Sequence, residues 1–597
     1  MVKIQIDSTI RCDVLIIGAG GAALRCAAEI LEKKSDANVV SLTKVTHPQK
    51  SHTSTAQGGL AAVDPKDQLD STIYHMFDTW KGSDCTADQN VVKTICESAW
   101  EQILWLENRG MHFSRNRDGR LSKRTFGGHT RNFGESSVYR AVFEADRTGK
   151  GIMDTSWGET LKKGITFLNQ TIGVELLIKD RQCYGAIAFK QKEGAFIKIL
   201  AKATVIATGG SGQVYRVTTN CRQNTGDGMA LVMRSGLPVM DPEAVQFHPT
   251  GIVGPGILAS ETLRSVGGIL RNKDLEPFMI NYAPKMKELA PRDLVARAIE
   301  SEIREGRGIV NANHNILHVW IDLRHLADEV HEKQIPEVSS FFKRYVNLDT
   351  KEDLCPIRPS NHYHMGGIPT NGYGQVEDES QQTVVGLYAV GECAAASFHG
   401  FNRLGTNSIL ELITMGQLVD SRVVDHLQNQ PQVQNDIEPQ LFNQQFSTYF
   451  QNKGKESIGK LRSSLRTIMT EKVSVFRTEQ SIAEAIEILQ DISERSHQTL
   501  ISCEQLPMNQ ELLQRWELDN LLMVSMSICE AARYRKESRG AHFRDDYTSR
   551  RDKFNHHTLV TVDEADRCLL AKRDIDMSIF RAGGEHSEKF DFIERKY

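Results

Sequence analysis

No two of the eleven cysteines are spaced as CxxC. An iron–sulfur cluster or structural zinc held by this chain alone is therefore not expected, and the scattered thiols suit a reduced, cytoplasmic compartment. No apolar run approaches the roughly 20 residues that cross a bilayer. The opening MVKIQIDSTIRCDVLIIGAGG has neither the charged, apolar and cleavage segments of an export signal nor paired arginines. Charge of one sign is missing too. The 72 Lys+Arg against 76 Asp+Glu leave a net of −4, without the basic excess of a dedicated nucleic-acid binder. There is no internal repeat and no long low-complexity tract. A 40% hydrophobic share with 25% charge excludes disorder, and 597 residues suffice for several structural units.

What is present begins at Arg11–Ile17, where Val14–Ile17 is continuously apolar and suits a strand buried on both faces of a parallel sheet. Gly18-Ala19-Gly20-Gly21-Ala22-Ala23 follows in the pattern GxGxxA, and Ala22–Leu31 has helical composition. Strand, glycine turn and helix open a dinucleotide-binding unit: a tight turn, a backbone that approaches a pyrophosphate, and a helix N-terminus facing it. The next strand, Asn38–Leu42, runs into Thr43-Lys44 without the acid that nicotinamide sites place there, so the turn alone leaves the dinucleotide open. Two further strand-to-glycine joints lie downstream, at Ala203–Ala207 before Thr208-Gly209-Gly210 and at Gly386–Val390 before Gly391-Glu392.

If these strands share one sheet, the nucleotide domain is interrupted. The expected division is residues 1–245 and 356–430 for that domain, 246–355 for an insertion, 431–545 for a helical domain and 546–597 for a charged C-terminal segment. Ser421–Asn452 reads as a loop followed by surface helices. Ile458–Gln490 and Asn509–Arg535 carry apolar residues at helical spacing. The stretch from Phe543 onward reads as lying over the surface.

Lys50-Ser51-His52-Thr53-Ser54-Thr55-Ala56-Gln57-Gly58-Gly59 is the most informative stretch. It resembles the SHTxxAQGG element of the succinate dehydrogenase and fumarate reductase flavoprotein subunits. The resemblance recurs in order through Phe126-Gly127-Gly128, Ala145–Gly149, Asn224–Gly228, Gln246–Thr250, Arg292–Arg297, His362–Ile368, His399–Ser408 and Glu537–Arg544. It implies an α/β fold: an FAD-binding domain of the glutathione-reductase type, interrupted by a capping domain, then a helical domain and a charged tail. It also implies FAD bonded covalently to His52, whose neutral imidazole is a nucleophile. Gly58 and Gly59 would let the backbone approach the flavin ring.

The same resemblance assigns roles residue by residue. Flavin contacts fall on Gly18, Ala19, Gly20, Gly21, Ala22, Ala23, Ser51, His52, Thr53, Gln57, Gly58, Gly59, Thr208 and Gly209. Asp227, Glu392, Ser408 and Ile409 belong to the ribose, ribityl chain and ring, and Thr43 and Lys44 to the adenosine side. Lys44 is otherwise a solvated surface charge. A four-carbon diacid would be held by His248, Ser260, His362 and Arg403, the last through its planar fork. Arg292 would exchange the proton, relayed through Glu261 and Arg264. Two departures stand out. Ser260-Glu261-Thr262 replaces a common Thr-Glu-Gly, and Thr406 replaces a frequent glycine, which should be tolerated.

The implied function is the interconversion of succinate and fumarate at the cytoplasmic side of the inner membrane. An iron–sulfur subunit and a membrane anchor with a quinone site would be partners, with no metal in this chain. L-aspartate oxidase is the nearest alternative, but that family lacks the flavin-linking histidine. A soluble, thiol-linked fumarate reductase and a non-catalytic flavin scaffold are further alternatives.

Overall fold

The computed structural model describes residues 4–312, 316–430, 437–451, 454–578 and 586–593. Its centre is an eight-stranded sheet. The apolar Val14–Ile17 lies inside β1 (Ile6–Ile17) and is buried on both faces. The strand is longer than its apolar run because it pairs in parallel with Ala195–Ile206, in register from Ile10↔Ile199 to Ile17↔Ile206. On its other edge β1 pairs in parallel with β2 (Val39–Thr43), which pairs with Thr166–Asn169. Thr383–Ala389 pairs in parallel with Ala195–Ile206. The three strand-to-glycine joints therefore do belong to one sheet. Between β1 and β2 runs α1 (Gly21–Lys33), rich in small residues and buried on almost every side because helix Asn407–Asn429 packs against it.

A second sheet is built from Val245–Ile252, Cys355–His364, Ile316–Asp322, Ile269–Arg271 and Ile309–Asn311. It has its own core, with Leu263, Leu270, Val295, Ile299, Val319, Ile321 and Phe342 fully buried. The first and last long strands hydrogen-bond to each other, so the inserted unit closes at its own base.

Helices Ile458–Lys472, Glu479–Ser496 and Gln510–Tyr534 present Leu461, Leu465, Ile482, Leu489, Leu518 and Leu521 to one another and to Tyr215 and Phe247. The periodic stretch 458–490 falls on two of these helices. Ser421 is not in a loop, since helix Asn407–Asn429 runs through it. Nor is the next helix merely superficial. Phe442, Phe446 and Tyr449 of Phe442–Gln451 are buried around Phe196 and Trp516, which a Gln- and Asn-rich composition conceals.

The C-terminal segment departs most from expectation. Rather than lying over the surface, His556–Val562 and Cys568–Asp574 form a hairpin added to Val239–Met240. Beyond it Ile575, Met577 and Phe590 enter the core beside Phe77 and Trp80, each contributing on the order of 2 kcal/mol of burial. His557 is wholly buried between Asp241, 2.5 Å from Nδ1, and Asp88, 3.3 Å from Nε2. The Glu537–Arg544 element is structural. Arg539 pairs with Glu537 at 2.7 Å, Arg535 with Glu243 at 2.7 Å, and all four are buried.

Candidate active site

The carboxyl ends of the parallel strands meet at one edge of the sheet, where open α/β sheets bind ligands. Gly18–Ala22, Thr43, Lys44, Thr208, Gly209 and Glu392 line a single cavity there. Gly18 has φ +128°, and a Cβ on it would stand 2.0 Å from the carbonyl oxygen of Ala207, so only glycine fits. Gly20 caps α1 and offers no side-chain acceptor, leaving the helix start to an anion. Ala23 is the exception in the motif. It faces the core, 1% exposed, and serves helix–strand packing.

Lys44 is not solvated. Its Nζ lies 3.0 Å from Asp227, 2.5 Å from Glu517 and 2.7 Å from the Thr225 hydroxyl. Burial opposes its charge, but Asp227 and Glu517 outweigh it and raise its pKa. Asp227 opens helix Asp227–Arg234, lines the cavity, and accepts from Asn520 Nδ2 at 2.9 Å. Glu517 and Asn520 come from the helical domain, and no pattern in the chain marked them.

His52 begins a short turn, His52–Thr55, and lines the cavity with Ser51, Thr53, Gln57, Gly58 and Gly59. Burial, then the Arg403 charge, lowers its pKa to about 4, so the ring is neutral. The glycine at 59 also meets a demand from outside the cavity. Its φ is +112°, and a Cβ would strike the Val142 carbonyl oxygen at 2.4 Å, so it answers to the neighbouring strand.

The inserted sheet brings the remaining groups over this crevice. His248 and His362 come from adjacent strands, with ring centroids 5.0 Å apart. The backbone N–H of Thr250 donates to His248 Nδ1 at 3.2 Å. A backbone N–H can only donate, so Nδ1 is the acceptor and Nε2 carries the proton. That Nε2 is buried and has no partner among the described residues. Burial, then Arg292, holds His248 neutral, and burial, then Arg403, does the same for His362.

Arg292 starts helix Arg292–Glu302, and its Nε lies 2.7 Å from Glu261 Oε2. Arg264 stands 3.5 Å from the same oxygen, but it lies behind Glu261 and does not line the cavity. Burial would raise the pKa of Glu261, yet Arg292 and Arg264 lower it, so it is ionised. Ser260 lines the cavity beside it, its hydroxyl 3.1 Å from that of Thr262. Arg403 bonds the Ser408 hydroxyl and lies over the Tyr363 ring, 4.4 Å from its centroid. Burial, then Arg292, pulls Arg403 down to about 9, still charged at neutral pH. Arg292 and Arg264 flank the Glu261 carboxylate and Arg403 adds a third guanidinium to the site, a cationic excess suited to a dianion. Thr406, next to this group, adopts φ +69°, the left-handed region that a glycine takes freely and a β-branched residue does not. The replacement is accommodated with backbone strain.

Ser408 and Ile409, at the start of helix Asn407–Asn429, also line the cavity. Glu392 accepts from the His364 N–H at 3.1 Å, and burial raises its pKa to about 7. Every residue expected in the site except Ala23 and Arg264 thus lines one cavity. Sequence reasoning missed Phe126 and Tyr363, which line the cavity, and Gln246, Cys221 and Glu517, which stand behind it against Arg403, His52 and Lys44. The first three fall inside motifs already noted. The last two carry no local signal.

A phosphate-ready glycine turn, a flanking neutral histidine, and buried Gln57 Oε1 and His248 Nε2 without partners among the described residues fit a bound flavin dinucleotide and its substrate. A dinucleotide crevice closed by a cationic second sheet defines the chain as an FAD-dependent oxidoreductase. Residues 13–409 match the model of the FAD binding domain family, and residues 462–597 match that of the fumarate reductase flavoprotein C-terminus. The succinate dehydrogenase flavoprotein subunit of Coxiella burnetii is 39% identical, covering 90% of this chain and 92% of that protein. The mitochondrial succinate dehydrogenase [ubiquinone] flavoprotein subunit of Oryza sativa is 38% identical, covering 95% and 90%. The E. coli quinol fumarate reductase chain FrdA, solved as a variant, superposes with a TM-score of 0.90 at 34% identity, covering 96% and 98%. The chain belongs to the family of succinate dehydrogenase and fumarate reductase flavoprotein subunits. No helix among the described residues is long and apolar enough to cross a membrane.

Proposed function

We propose that this cavity interconverts succinate and fumarate, with FAD tethered to His52. The observation that carries the reading is the buried Nε2–H of His248, unpartnered among the described residues, in the same cavity as Arg292, Arg403 and His52. Bound FAD would supply a hydride acceptor and release electrons one at a time. Arg403 would grip one carboxylate with its fork, and His248 and His362 would donate to the carboxylates as neutral imidazoles. Ser260 would add a hydroxyl donor. Arg292 would give a proton to the substrate carbon, or take one from it, and would be re-set through Glu261 towards Arg264. The inserted sheet would act as a cap that excludes water and fixes orientation.

In this reading an iron–sulfur subunit receives the electrons and a membrane anchor with a quinone site receives them next. The chain would be peripheral, on the cytoplasmic side of the inner membrane. His52 favours this over L-aspartate oxidase, and copurifying subunits would separate it from a soluble thiol-linked fumarate reductase. The test is direct. Acid-precipitated, washed chain should keep flavin fluorescence, and the complex should reduce an artificial acceptor with succinate. Flavin found wholly in the supernatant would remove the tether, and absence of succinate-dependent reduction would remove the activity.

A further inference from the structure

Two hydrogen-bonding side chains converge on His52 Nδ1, whereas Nε2 has no hydrogen-bond partner among the described residues: Thr55 Oγ1 lies at 3.3 Å and Cys221 Sγ at 3.5 Å. The hydroxyl proton of Thr55 is already committed, donated to the His52 carbonyl oxygen at 2.7 Å. Towards Nδ1, Thr55 can therefore only accept. Thr55 thus favours the free ring as the Nδ1–H tautomer, with its lone pair on Nε2. A tethered, neutral ring has the opposite need, because with carbon on Nε2 its Nδ1 has no hydrogen and can only accept. Thr55 cannot answer that need. A thiol can, since it accepts weakly or donates by turning about its C–S bond.

Cys221 is well placed for this. Burial, then Glu392, raises its pKa to about 11, so it keeps its proton. Its loop is pinned on both sides. Asn220 Nδ2 donates to the His362 carbonyl at 2.8 Å, and Gln223 Nε2 donates to the Lys50 carbonyl at 2.6 Å. Two residues before Cys221, Thr219 Oγ1 lies 2.8 Å from His362 Nδ1. One short loop thus touches the Nδ1 of a substrate histidine and of the flavin histidine.

We propose that Cys221 is a positioning residue for flavin attachment, accepting from His52 Nδ1–H before the tether forms and donating to Nδ1 afterwards. The inference rests on the tethered reading above. Attachment makes the Nε2–C8α bond and breaks one methyl C–H bond. It releases that proton and the Nδ1 proton, and the electron pair left behind, with two protons, converts fumarate, the oxidant, to succinate.

The experiment reconstitutes the full chain with FAD and fumarate and follows flavin in acid-precipitated protein over time, beside total bound FAD. Cys221→Ser keeps both hydrogen-bonding roles, whereas Cys221→Ala keeps neither. The expected result is a rate for Cys221→Ser within about twofold of wild type and a rate for Cys221→Ala roughly fivefold lower, the size of one neutral hydrogen bond. Total bound FAD should be unchanged in both. Equal rates for Cys221→Ala and wild type would overturn the proposal, as would a Cys221→Ser variant as slow as Cys221→Ala. Flavin missing from the wild-type precipitate would instead sink the tethered reading. Where the wild type keeps its flavin, the contact of Cys221 is also read from the midpoint potential of the bound flavin. A shift in Cys221→Ala that Cys221→Ser restores supports the contact, and identical potentials reject it.

Discussion

Gln246 holds Arg403 through a single oxygen: Oε1 accepts from Arg403 Nε at 3.3 Å and from Nη2 at 3.2 Å. The same oxygen accepts from Arg292 Nη1 at 3.3 Å. The amide is fixed from its other end, since Nε2 donates to Asn402 Oδ1 at 2.9 Å and to the Arg403 carbonyl at 2.7 Å. One neutral side chain therefore sets the spacing between the proposed carboxylate clamp and the proposed proton donor.

Replacing Gln246 with Leu should remove the shared acceptor from both guanidinium groups while keeping side-chain volume. We expect kcat/KM for succinate to fall by on the order of 10²-fold, as misplacement near the reacting atoms does. Bound FAD should be unchanged. Steady-state kinetics beside flavin content checks this, and kinetics within twofold or so of wild type would remove the positioning role.

Arg292→Lys tests the proton role. Lysine keeps the charge but loses the Nε contact to Glu261 and the planar geometry. Turnover should drop by on the order of 10³-fold, while a dicarboxylate inhibitor still perturbs the flavin spectrum. Substantial residual turnover would assign the proton to another group.

His557 gives a pH-dependent prediction for stability. Burial alone would depress it, but Asp241 and Asp88 prevail and raise its pKa to about 9. Its folded pKa lies above the unfolded value near 6.5, so its contribution is fully present below pH 6.5 or so and is lost as pH rises through about 9. That shift corresponds to at most about 3 kcal/mol. The Tm difference between wild type and His557→Gln should therefore be large at pH 6.5 and shrink by pH 9.5 or so. A constant difference would show that His557 is not held protonated.

Thr406→Gly should relieve the left-handed strain at that position. The relief, about 1–3 kcal/mol, exceeds the added chain entropy of glycine, about 0.5–1 kcal/mol. Thermal unfolding should shift upward by a few degrees with flavin retention intact, and a lowered Tm would mean that the Thr406 hydroxyl bond to Gly405 outweighs the strain.

The elements that chain-local pattern specifies are the ones the sequence made plain. Val14–Ile17, the glycine turn and α1 are written in adjacent residues, because a buried strand needs continuous apolar side chains and a tight turn needs Gly18. The ordered motifs likewise located His52, His248, Arg292, His362 and Arg403. Composition misled where burial is decided from outside. Phe442, Phe446 and Tyr449 disappear among Gln and Asn, and a charged tail conceals Ile575, Met577 and Phe590.

The sequence by itself determined the nucleotide crevice, written in residues a few positions apart, and through its ordered motifs most of the groups around it. Only the tertiary structure decided how those groups are held. Asn520 reaches Asp227 across 293 positions and Cys221 reaches His52 across 169. Such contacts depend on how separate units pack, and a hydrogen bond a few ångströms long leaves no periodic trace along the chain.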